Sequence, residues 1–281
     1  MTENQLNQFP HPPSTPTAGN PEQMATRTPG SDPDATPEPA KNSPSFGAAS
    51  QVPAIEINSV SKFYRSQIGL SKASLTLPSG GIVGMMGPNG CGKTTLLKIL
   101  AGVMQDYEGE VRLFGQTPGV KTKAFTSYLP DTSLLADNLT PRSAIRQYQD
   151  FFADFDSAKA QEMVDFFRLP ADRKLSDMSK GMREKLQIAL IMSRNARIYL
   201  LDEPLSGVDP AAREVILRAV ISRFNPQAIM LLSTHLISDI EPVVSTAVFM
   251  SAGQIFLSGD ADQLRSTYQT SLDGLFRGMF R

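Results

Sequence analysis

Apolar and polar residues alternate along Ala54–Val60 and again along Ala73–Leu77, the pattern of strands with one buried face. Ile82–Met86 is instead a continuous apolar run, as in a strand covered on both sides, and it leads straight into a glycine-rich loop. Beyond that loop, Leu96, Leu97 and Leu100 share one side of a helix predicted over Thr94–Leu100. Glu110–Phe114 and Phe125–Leu129 predict two further short strands, and residues 140–195 are mostly helical in period. Thr140 with Pro141 reads as an N-cap followed by proline at the first helical position. Ile145, Tyr148, Phe152 and Phe155 then recur at helical spacing, and Phe151 widens the stripe. Such a stripe suits a core or a docking surface better than a cofactor box. Strand patterns return at Ile198–Leu201, Ala228–Leu232, Ala247–Met250 and Gln254–Leu257. Strands, an inserted helical block, then strands alternating with helices predict an α/β domain with a helical insertion. Past Asp260, Leu272, Leu275, Phe276, Met279 and Phe280 predict an amphipathic C-terminal helix over 261–281, for packing on its own domain or for contact with a partner.

Residues 1–53 have a different texture. They hold 11 of the 21 prolines and only six sizeable apolar residues, Met1, Leu6, Phe9, Met24, Phe46 and Val52. Six such side chains cannot offset the ordering entropy of the stretch, so a disordered tail is predicted, solvated or serving as a tether. His11 lies within it and is given no role. The tail carries −3 of the chain's net charge of −1, which leaves +2 for residues 54–281. A near-neutral domain argues against a dedicated nucleic-acid binder. One cysteine, Cys91, excludes an intrachain disulfide and a cysteine-cluster zinc site, and two histidines exclude a multi-histidine metal centre. No apolar run reaches the 18 or so residues of a spanning helix, and the N-terminus lacks a signal-peptide pattern. A cytosolic product is expected, docked on a membrane partner if anywhere.

The chemistry starts at Gly87-Pro88-Asn89-Gly90-Cys91-Gly92-Lys93-Thr94, which fits the phosphate-loop pattern G-x-x-x-x-G-K-[ST]. Glycines let the backbone curl so that successive N–H groups face an anion, and the following helix aims its N-terminus at the same point. Lys93 suits the β- and γ-phosphates of a nucleotide, the Thr94 hydroxyl suits Mg²⁺, and Thr95 follows in the first turn. The strand before the loop and the helix after it supply the context that the pattern needs.

A second element lies 109 residues beyond Lys93, where the apolar strand ending at Asp202 and Glu203 presents two carboxylates. Beside the phosphate loop in a parallel sheet, Asp202 would hold Mg²⁺ and Glu203 would polarise an attacking water. Strand-end acids taken alone serve equally well as helix caps.

Taken together, these motifs resemble the nucleotide-binding domains of ATP-binding cassette (ABC) transporters, over about Ala54 to Ser258. Met178-Ser179-Lys180-Gly181-Met182 sits where that family has its Leu-Ser-Gly-Gly-Gln signature. Ser206-Gly207-Val208-Asp209 is similar to the D-loop, and His235 to the switch histidine. Tyr64 matches the aromatic that stacks on adenine, and Tyr128-Leu129-Pro130-Asp131 occupies the Q-loop position. The resemblance implies a P-loop NTPase core of mainly parallel sheet flanked by helices, with an antiparallel β subdomain and an inserted α-helical subdomain at about 132–195, the whole spanning 54–260. It implies ATP and Mg²⁺ as ligands, with Gly87 through Thr95, Tyr64, Ser179 and Gly181 binding nucleotide. Thr94, Asp202 and Asp131 would face the cation, and Glu203, His235 and Lys93 would carry catalysis.

The same resemblance implies partners. Two cassettes, identical or homologous, would close head-to-tail over ATP, each nucleotide lying between one phosphate loop and the other copy's Ser179–Met182. A separate transmembrane permease subunit would carry the substrate, with the chain peripheral on the inner face of the membrane and no nucleic acid expected. The expected function is an ATPase powering transport, in the direction of export; the alternative is a soluble cassette ATPase acting on DNA or ribosomes. The departures are Asp131 for the usual glutamine, and Lys180 and Met182 within the signature. Lys180 either adds charge near a γ-phosphate or faces solvent, and His235 could be an ordinary turn histidine. Cys91, beside Lys93 and a helix N-terminus, is expected to have a lowered thiol pKa, although a tolerated small residue is the simpler account.

Overall fold

The structure, a computed structural model, describes residues 52–280 apart from Ser66 and Leu134. The tail predicted to be disordered therefore lies outside the described residues, except for Val52 and Pro53. In chain order, β1 (Ile55–Tyr64) and β2 (Gln67–Leu77) form an antiparallel hairpin, and β3 (Ile82–Met86) leads into α1 (Lys93–Leu100). Next come β4 (Glu108–Leu113), the short α2 (Val120–Lys123) and β5 (Thr126–Leu129). The inserted block is α3 (Pro141–Phe151), α4 (Ser157–Phe166) and α5 (Lys180–Met192). The chain then runs through β6 (Ile198–Asp202), α6 (Pro210–Arg223), β7 (Ile229–Thr234), α7 (Ile237–Ile240), β8 (Thr246–Ser251) and β9 (Gln254–Asp260). Two helices close it, α8 (Ala261–Tyr268) and α9 (Leu272–Met279).

The strands form two sheets. One is three-stranded and antiparallel in the order β2-β1-β4; the other is six-stranded in the order β5-β6-β7-β3-β8-β9, parallel except for its edge strand β9. Every residue of β3, β6 and β7 is buried, which is why these strands read as unbroken apolar runs. Their alternate residues feed two cores. Val83, Met85 and Leu200 pack with α1 and the three-stranded sheet, while Met86, Tyr199 and Leu201 pack with the helices of the other face. The fold is the one expected, a P-loop NTPase core with an antiparallel β subdomain and a helical insertion.

The aromatic stripe of the insertion differs from its periodicity. Thr140 caps α3 as expected, in a reciprocal pair with Ser143 (3.2 and 2.8 Å), and Ile145 is buried. The helix stops at Phe151, however, and Phe152 turns into extended backbone as its C-cap. A tertiary contact accounts for the stop. Buried Arg194 holds Asp154 through two bonds (2.9 and 3.0 Å), donates to the Thr126, Lys123 and Ala124 carbonyls, and lies 4.1 Å over the Phe152 ring. These contacts, the Asp154 ion pair among them, hold the chain beyond Phe151 away from a further helical turn. Phe151 is left 73% exposed rather than widening a buried stripe. The C-terminal segment, expected as one helix, is two. Gln269 at φ +52° ends α8, Ser271 caps α9, and the Glu241 carboxylate accepts from the Leu272 N–H at 2.8 Å. Leu272 and Leu275 are buried in the domain's own core.

Candidate functional site

The loop between β3 and α1 leaves the centre of the large sheet, since β3 lies between β7 and β8. Gly92 is the N-cap of α1 at φ +109°, and a Cβ there would overlap the carbonyl oxygen of Gly69 on β2, so only glycine fits. No side chain caps this helix start, and its first turn carries no acid, which leaves the N-terminal N–H groups for an anion. Lys93 is only 6% exposed; its Nζ donates to the Gly87 carbonyl (2.8 Å) and the Pro88 carbonyl (3.3 Å), and lies 3.7 Å from Glu203 Oε1. The loop's own carbonyls thus engage its lysine.

The sheet register brings the acids to this loop. Asp202 pairs with Ser233 across β6 and β7. Asp202 Oδ1 accepts from Ser233 Oγ at 2.6 Å and from Thr94 Oγ1 at 3.1 Å, whereas Oδ2 is buried with no partner. Burial pushes the Asp202 carboxyl above the usual carboxylate range, with the two hydroxyls working in the opposite direction. A buried orphan carboxylate oxygen on an aspartate that also holds the Thr94 hydroxyl is an environment that a hard divalent cation would satisfy, so the residues fit Mg²⁺.

Glu203 sits just past the strand in left-handed backbone, at φ +49°, with its N–H donating to the Ser233 carbonyl at 3.1 Å. Strain of this kind in a non-glycine residue is what functional positions store. Its Oε2 lies 2.9 Å from Nδ1 of His235, whose side chain is 44% exposed, within hydrogen-bond reach. Ser233, which joins Asp202 to Glu203, escaped the sequence reading. The only signal was two polar residues, Ser233 and Thr234, closing an otherwise apolar strand.

A cleft of about 360 Å³ gathers Tyr64, Asn89, Gly90, Gly92, Lys93, Thr94, Thr95, Asp131 and Glu203. Tyr64, half exposed, shares a hydrogen bond with Thr95 Oγ1 (3.3 Å) at the rim. Asp131 lies exposed in the loop after β5; it accepts from Thr132 Oγ1 at 3.4 Å and borders a second cleft with Lys180, Glu184 and Glu203. Ser179 and Gly181 line neither cleft. Ser179 caps α5, accepting from the Met182 N–H at 3.3 Å, and a Cβ on Gly181 would meet open space.

Cys91 corrects one expectation. Burial pushes its thiol pKa up, and this outweighs Lys93 and the nearby backbone N–H groups, which act in the lowering direction. The thiol is 3% exposed and does not line the cleft. A raised pKa means less thiolate at pH 7–8, so alkylation of Cys91 by iodoacetamide at pH 8 should be much slower than that of glutathione. A time course by mass spectrometry checks this; modification of the folded protein at the glutathione rate would refute the buried, neutral thiol.

Fold and site together define a P-loop nucleotide-binding cassette. Residues 70–206 match the ABC transporter family. An uncharacterised ABC transporter ATP-binding protein of Nostoc sp. is 30% identical over 211 residues, covering 72% of this chain and 63% of its own length. A second such protein, of Synechocystis sp., is 29% identical over 75% of this chain and 66% of its own, so the chain spans about two thirds of these relatives. The solved structure of an ATP-binding subunit of an ABC transporter superposes with a TM-score of 0.70 at 26% identity, over 81% of this chain and all of that one. The domain belongs to the family of ABC transporter ATP-binding domains. Among the described residues, no helix is long and apolar enough to cross a membrane.

Proposed function

We propose that the protein is the ATP-hydrolysing subunit of a transporter, working in export through a separate transmembrane subunit. The observation that carries this is a cleft lined by Lys93, Thr94 and Glu203, with Asp202 bonded behind Thr94 and His235 bonded to Glu203. ATP phosphates would take over the Lys93 ammonium from the Gly87 and Pro88 carbonyls and the N–H groups at the start of α1. Thr94 and Asp202 would hold Mg²⁺, which when bound offsets charge on the phosphate oxygens. Tyr64 would stack on the base at the rim. Glu203 would accept the proton of the attacking water, held in orientation by His235.

Ser179 and Gly181 support the dimeric part of the proposal: the exposed start of α5 carries no acid in its first turn, so its N–H groups suit the nucleotide of a second copy. Two relatives bear on direction: a Nod factor export ATP-binding protein of Sinorhizobium fredii and the lipopolysaccharide export ATP-binding protein of Haemophilus influenzae, both 27% identical. Attachment to a permease would place the chain on the inner face of the membrane. The test is affinity capture of the tagged Glu203→Gln protein with MgATP from detergent-solubilised native membranes. Recovery of a polytopic membrane protein in near-equal amount is expected; recovery of ribosomes or DNA-associated proteins alone, with folded bait, would overturn the transport assignment.

A further inference from the structure

The turn between β8 and β9 makes two backbone bonds that its own hairpin does not require. Ser251 pairs with Gln254, so Ala252 and Gly253 form a two-residue turn, at φ +45° and +80°. The Gly253 N–H donates to the Cys91 carbonyl at 3.0 Å, and the Gly253 carbonyl accepts from the Ser71 N–H at 2.9 Å. Its Cα lies so close to β2 that a Cβ would stand 3.0 Å from Leu70 Cα and 3.1 Å from the Ser71 nitrogen. Left-handed backbone and close approach both call for glycine here.

A loop that aims its N–H groups at phosphate must turn its carbonyls outward, and buried carbonyls need donors. Lys93 Nζ serves Gly87 and Pro88. The carbonyl of buried Cys91 is served by Gly253. One residue further on, Gly92 rests against Gly69, on the same strand as Ser71. The turn and β2 thus hold the loop at Cys91 and Gly92, with the turn's Gly253 outside the cleft.

We propose that Gly253 is a positioning residue for phosphate binding, its backbone bridging Cys91 to Ser71 and so fixing the curl of the loop. The inference rests on the ATP-binding reading above. Gly253 does not line the nucleotide cleft, so any effect it has on ATP passes through the loop.

Gly253→Ala is compared with Gly115→Ala, which puts a Cβ on similar backbone (φ +75°) with only Val52 Cγ1 nearby, at 3.7 Å. Both lower Tm. Only Gly253→Ala weakens MgATP, by about tenfold in Kd by calorimetric titration, the scale of one hydrogen bond. Hydrogen exchange on the unaltered protein gives a second readout that survives a folding failure of the variant. MgATP slows exchange at the Gly253 and Ser71 N–H groups and leaves the Gln116 N–H, bonded to the Leu113 carbonyl at 3.0 Å, unchanged. Equal Kd values for the two variants, or exchange at Gly253 indifferent to MgATP, overturns the proposal. Failure of the unaltered protein to bind MgATP overturns the ATP-binding reading instead.

Discussion

Replacing Glu203 with glutamine is expected to slow ATP hydrolysis by about 10²–10⁴-fold while MgATP still binds. Glutamine keeps the side chain's volume and an acceptor for the His235 bond, but it cannot take up the proton of a water. The backbone constraint persists, because φ +49° is held by the N–H bond to the Ser233 carbonyl, which does not depend on the side chain. Affinity should hold or improve. Glu203 Oε1 lies 3.7 Å from Lys93 Nζ, so neutralising it removes a competitor for the ammonium and a repulsion toward phosphate. Phosphate release and nucleotide Kd measured on the same preparation separate the two effects. Near-normal turnover would take the base role from Glu203, and lost binding with slow turnover would make it a ligand-site residue instead.

The parts of the site that were legible in the sequence are those whose chemistry is local. Glycine spacing between an apolar strand and a helix marks Gly87 through Thr94, and an apolar run ending in two carboxylates marks Asp202 and Glu203. What stayed hidden depends on strand order. β6 lies beside β7, which sets Ser233 against Asp202, and β8 lies beside β3, which lets the β8–β9 turn reach Cys91. The stripe in α3 was over-extended because periodicity sees side-chain faces and not the Arg194–Asp154 pair that ends the helix. The Cys91 thiol differs from its sequence expectation for a related reason: Lys93 and the helix start are neighbours in sequence, while the burial that dominates comes from the folded core. Ser179 and Gly181, legible as a motif, line neither cleft, and Ser179 serves as the N-cap of α5.

Lys93→Ala should act on binding itself, lowering MgATP affinity by about 10- to 150-fold, the equivalent of the roughly 1.5–3 kcal/mol typical of hydrogen bonds to charged groups. The variant also disturbs the free protein. It removes the donor to the Gly87 and Pro88 carbonyls and leaves Glu203 with His235 alone, so a loss of about 1–3 kcal/mol of stability is expected from unsatisfied groups. The two losses are separable by linkage, because a ligand that binds only the folded state raises Tm according to its concentration relative to Kd. The unaltered protein should gain Tm with MgATP; Lys93→Ala should start lower and gain little at the same concentration. A variant that starts lower yet gains as much would show that Lys93 buttresses the loop without holding phosphate. In that case the α1 N-terminus and the grip on the Cys91 carbonyl would be left as the main sources of nucleotide affinity.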